Sequence, residues 1–71
     1  MKLYEYLEGL SDGKLAEIGN DILKFDEEGH IEENSLLRKV QNTFKGEKNL
    51  NNIIQETKYE ILTRFTTKYF C

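Results

Sequence analysis

Four stretches of this chain repeat apolar residues at helical spacing, and only three short glycine-marked breaks separate them. A period of 3.6 residues puts each apolar set on one face of a helix, and short breaks make successive helices neighbours in space. The breaks run from Gly9 to Gly13, Gly29 to Asn34 and Gly46 to Asn49. Proline is absent, so nothing in the sequence kinks a helix from within. The pattern predicts a single all-α unit over 1–71, a compact four-helix domain with helices at about 2–9, 12–28, 33–45 and 49–69.

The first helix gathers Leu3, Tyr6, Leu7 and Leu10 on one face. Ser11 is a good N-cap for the second, with Leu10 placed to staple onto Leu15 and Asp12 at the favourable positive end of the helix dipole. Leu15, Ile18, Ile22 and Phe25 form the stripe of helix two, and Leu23 widens it. Gly19 sits inside that helix at a cost of about 1 kcal/mol relative to Ala, which points to another helix passing close by. Helix three carries Leu36, Leu37, Val40 and Phe44, with Gly46 as its expected C-cap. Helix four carries Leu50, Ile53, Ile54, Ile61, Leu62, Phe65 and Tyr69, interrupted by Thr57 and Lys58. The tail TRFTTKYFC has the composition of a strand, but a lone strand has no partner here, so the tail is read as helix that frays at its end.

Size and charge narrow the function. A 71-residue domain buries only about 60% of the surface its unfolded chain exposes, so its stability is modest and its volume leaves little room for a pocket. One cysteine, Cys71, allows no internal disulfide and fits a reducing cytoplasm, the compartment expected here. No apolar run approaches a membrane span or a signal peptide. From Met1 to Ser35 there are ten acids against three lysines, and from Leu36 onward three acids against seven bases. Such asymmetry implies either a charged partner or two halves that pack with complementary rims.

The most unusual segment is KFDEEGHIEENS, Lys24 to Ser35, where Asp26, Glu27, Glu28, Glu32 and Glu33 surround Gly29 and the only histidine, His30. Set against a calcium-binding helix-loop-helix, Gly29, Asp26, Glu28 and Ile31 fall where they should, but Lys24 and Ser35 occupy the two end ligand positions. The resemblance to an EF-hand is partial and lacks the ligand that grips the ion. Zinc wants Cys and His at set spacings, which a single His30 among acids does not supply. The segment reads as a corner between helices two and three, with Gly29 in the left-handed cap and no metal or cofactor implied. Asp26, Glu27 and Glu28 nevertheless sit on the last turn of helix two, where the dipole disfavours acids. A basic patch, on a partner or on the C-terminal half, is expected to offset them.

No nucleophile with a base, acid-base pair or phosphate-binding glycine loop is present, so an enzyme is not expected. Tyr4 and Tyr59 lie off the apolar stripes of their helices, and exposed tyrosines are common anchors at interfaces. Together with the acidic corner (Asp26, Glu27, Glu28, Glu32, Glu33) they are the expected contacts to a protein partner. Self-association along helix four is a specific form of this, because Ile53, Ile54, Ile61, Leu62 and Phe65 cover more than half its circumference. The alternative is a helix-turn-helix-like DNA binder using Arg38, Lys39, Lys45, Lys58, Arg64 and Lys68 on helices three and four. Against it stand the net charge of −3 and the scatter of the bases along the chain. The Lys, Asn, Ile and Glu usage and the size resemble small regulatory proteins of low-GC bacteria and their phages. The expected function is accordingly a non-enzymatic regulatory or inhibitory protein that occupies a partner's surface.

Overall fold

The computed structural model describes the backbone of residues 2–70 and the side chains of residues 2–66. Four helices follow one another, α1 (Leu3–Glu8), α2 (Asp12–Glu28), α3 (Leu36–Phe44) and α4 (Leu50–Phe70), and the described residues contain no strand. The Thr- and aromatic-rich tail therefore continues α4. The helix, expected to fray at its last residues, runs through Phe70, while Cys71 and the side chains of 67–70 lie outside the described residues.

Local chemistry fixes the ends. Ser11 takes an extended conformation, and its Oγ accepts a hydrogen bond from the Lys14 N–H at 3.2 Å, satisfying one of the orphan donors of α2. Gly29 closes α2 in the left-handed region at φ 80°, and its N–H donates to the Phe25 carbonyl at 2.8 Å. Two boundaries differ from the spacing. Helix α3 starts at Leu36 rather than near 33, because Ser35 is extended and its Oγ both accepts from the Arg38 N–H (3.2 Å) and donates to the Glu32 carbonyl (2.8 Å). Glu32 and Glu33 thus lie in the linker instead of the first turn of α3. That helix also ends without a left-handed glycine: the Phe44 carbonyl accepts from the N–H groups of Glu47 (2.9 Å) and Lys48 (2.8 Å), and Lys45 is the right-handed C-cap. A turn closed on the right-handed side makes no demand that only Gly46 could meet.

Leu3, Leu7, Leu15, Ile18, Ile22, Leu37, Val40, Phe44, Ile53 and Ile54 form the core. Helix α4 is the common neighbour, packing against α1, α2 and α3, while α3 also packs on α2. Tyr6 meets Phe44 edge to face with ring centroids 5.6 Å apart, tying α1 to α3. At Gly19 a side chain of α4 packs directly on the α2 backbone: a Cβ built there falls 2.9 Å from Ile61 Cδ1. Thr57 does not interrupt the α4 stripe but belongs to it, fully buried with its hydroxyl donating to the Ile53 carbonyl at 2.7 Å.

Helix α1 has only six residues, too few to be stable alone, and its last carbonyls lack intrahelical partners. Arg64 of α4 supplies them. Its guanidinium donates to the carbonyls of Leu10 (2.6 Å), Leu7 (3.1 Å) and Glu8 (3.1 Å) and to Glu60 Oε2 (3.2 Å), with Asp12 Oδ1 at 3.5 Å. The Arg64 side chain is only 16% exposed, so these bonds are largely shielded from water.

Two substitutions test this account by urea unfolding. Arg64→Ala is expected to cost about 2 kcal/mol, and Arg64→Lys to recover less than half, because a point-like ammonium cannot span three carbonyls. Gly29→Ala is expected to cost about 1 kcal/mol, since an L side chain is disfavoured at its positive φ.

Candidate functional site

Packing α1 and α2 on opposite flanks of α4 leaves large apolar side chains outside the core on the outer side of that helix. Among the described residues the exposed large hydrophobics are Tyr4 (53%), Leu23 (59%), Tyr59 (71%) and Leu62 (65%). They are not scattered. Tyr4 of α1 and Tyr59 of α4 line one groove of about 380 Å³ between those helices, together with Leu7, Glu8, Gln55, Glu56, Glu60 and Thr63. Leu23 of α2 and Leu62 of α4 line a second, of about 300 Å³, with Gly19, Ile22, Lys58 and Ile61. Tyr59 and Leu62 are three residues apart on α4, hence neighbours on its surface, and join the two grooves into one strip. The strip therefore runs Tyr4, Tyr59, Leu62, Leu23 across three helices.

The two tyrosines singled out from the sequence are thus brought to one groove. Leu23 and Leu62, expected from spacing to belong to the apolar stripes of α2 and α4, are instead surface residues. Leu23 follows Ile22 by one residue, about 100° around the helix, and so turns away from the core that Ile22 fills. Leu62 stands in the same relation to Ile61. The rest of the expected dimer stripe on α4 is used internally: Ile53 and Ile54 are buried, and Ile61 and Phe65 are half-buried against the core. The neighbouring helices cover that part of the face and leave Leu62 exposed.

In the acidic corner Asp26, Glu27, Glu28, Glu32 and Glu33 are all exposed. Among the described residues no lysine or arginine pairs with these carboxylates: Lys48 pairs with Glu56 at 3.4 Å and Arg64 with Asp12 and Glu60. Of the complementary rims expected between the two halves, the pair of Arg64 with Asp12 is the part realised here. At the corner itself His30 Nε2 lies 3.8 Å from Glu28 Oε1 and 3.4 Å from Glu32 Oε1. These are the described residues that could hold a metal, with one donor atom each within 4.8 Å of the others, a grouping the sequence reading missed. The signal for it is the alternation Glu28, His30, Glu32 across a left-handed Gly29. All three side chains are exposed, as in an ordinary surface ion pair of small energy, and no metal centre is assigned to them.

The bases of the nucleic-acid alternative divide. Arg38 is half-buried, donating to Gln41 Oε1 (2.8 Å) and to the Ile31 carbonyl (3.0 Å), while its Nε is buried without a partner. With Arg64 also turned inward, both arginines of the set serve the fold. Lys39 and Lys45 are exposed on and just after α3, whereas Lys58 lies on the α2/α4 groove beside Leu23 and Leu62. The side chain of Lys68 is outside the described residues.

What the fold and the strip define is a four-helix domain with an aromatic and aliphatic outer face. The chain matches no protein-family model, and no curated protein and no solved structure matches it. No helix among the described residues is long and apolar enough to cross a membrane.

Glu27 offers a test of whether the corner has a partner inside the chain. Exposed on the last turn of α2 with no partner there, it is disfavoured by the helix dipole, so Glu27→Lys is expected to stabilise the fold by a few tenths to about 1 kcal/mol. A drop in the urea midpoint would mean that Glu27 makes a contact within the chain.

Proposed function

We propose that this protein is a non-enzymatic interaction module that works by occupying the surface of a partner protein, in a regulatory or inhibitory role of the kind small bacterial and prophage proteins play. One observation carries the reading: the four large hydrophobics left exposed among the described residues form a single strip over α1, α4 and α2. Scattered apolar residues are normal on a surface, but a contiguous patch of them marks a contact site. Two of the four are tyrosines, which give large contact area at low conformational cost and recur as binding hot spots. The acidic corner adds a charged surface with which no lysine or arginine among the described residues forms an ion pair.

Self-association is a second form that the contact can take, because Tyr59 and Leu62 are exposed side by side on α4. The helix-turn-helix alternative gains no comparable support, since Arg38 and Arg64 spend their donors within the chain.

The double variant Tyr59→Ala/Leu62→Ser removes the middle of the strip without touching the core. Its thermal unfolding is expected to stay within about 0.5 kcal/mol of the parent, the usual range for surface changes. Its capture of a partner from lysate of the source cell, or its dimer by light scattering, is expected to vanish. Capture equal to that of the parent chain would refute the strip as the contact surface.

A further inference from the structure

Resting on the strip as the contact surface, we infer that its occupant is a cationic amphipathic helix of a partner protein, laid across α4. The two grooves beside Tyr59 and Leu62 differ in chemistry. The one toward α1 carries three carboxylates, Glu8, Glu56 and Glu60, and no base lines it. Glu56 and Glu60 already share Lys48 and Arg64, but Glu8 gives only its backbone carbonyl to Arg64. The groove toward α2 is apolar, built from Gly19, Ile22, Leu23, Ile61 and Leu62, with Lys58 alone on its margin.

A helix crossing α4 meets both grooves at once, because helical side chains three and four positions apart project to the same side. Its apolar residues enter on the α2 side, where Leu23 and Leu62 wait uncovered. Its arginine or lysine enters on the α1 side, laying its methylene stem along the Tyr4 and Tyr59 rings and its cationic head toward Glu8. An acidic helix in the same place meets the Glu8 carboxylate, which no lysine or arginine among the described residues pairs with. Charge thus sets both the sign of the partner and its direction across α4.

The test uses a displayed library of randomised helix-forming peptides, selected against the full chain and counter-selected against Tyr59→Ala/Leu62→Ser. Selected peptides are then titrated by fluorescence anisotropy at low and high salt against the parent chain and against Glu8→Lys. Glu8 is exposed at the C-terminal end of α1, where a lysine suits the dipole, so that variant keeps the fold, and a thermal melt checks it. The expected result is a set of basic amphipathic peptides whose affinity falls about tenfold or more with Glu8→Lys and falls again with salt. Peptides that need Tyr59 and Leu62 but are neutral or acidic, and ignore Glu8→Lys, overturn the cationic occupant and leave the interaction reading standing. If no selected peptide depends on Tyr59 and Leu62, the contact surface itself is wrong, and the inference falls with it.

Discussion

Arg64 is the contact on which the arrangement of this protein depends. A six-residue helix has no stability of its own, and α1 stays folded because its core face meets α4 and because one guanidinium takes up the carbonyls at its end. The same group reaches Asp12 in the first turn of α2, so a single side chain ties the end of α1 and the start of α2 to α4. The planar fork of arginine suits this task because it offers several donors in a fixed geometry. Tyr4 is carried by α1, so its place beside Tyr59 is a consequence of the same bonds.

Close approach at the other flank complements this. Gly19 lets Ile61 pack where a side chain would intrude, which draws α4 down onto α2. With both flanks fixed, α4 is left with one outward face, and that face holds Tyr59, Leu62 and Lys58. The exposed strip is the remainder of the packing: residues that share a helix with the core but point away from it.

Much of this was legible locally. The Leu15, Ile18, Ile22 stripe of α2, its Ser11 cap and its Gly29 terminus follow from spacing and from hydrogen bonds within a few residues, and the structure has them as read, whereas Leu23, expected to widen the stripe, is exposed. The start of α3 was misplaced because the acids at Glu32 and Glu33 suit a first helical turn, whereas Ser35, three residues on, binds the backbone on both sides and sets the boundary itself. Thr57 was misread as a break because a hydroxyl looks polar in a sequence, yet inside a helix it can satisfy itself on the carbonyl four residues back. Arg38 and Arg64 looked like solvated bases for a ligand, since nothing in a linear pattern shows that the Ile31 carbonyl turns back to Arg38, or that carbonyls more than fifty residues away need Arg64.

The sequence by itself determined the helices, their number and the face each turns to the core, because those depend on periodicity and on caps whose partners are near in the chain. It also marked Tyr4 and Tyr59 as lying off the apolar stripes. Only the tertiary structure decided that these two share a groove, that Leu23 and Leu62 extend it, and that Glu8, Glu56 and Glu60 line one end. Which surfaces of separate helices meet is set by how α1 and α2 dock on α4. That docking rests on long-range contacts, Arg64 with the end of α1 and Ile61 with Gly19, that no local spacing encodes.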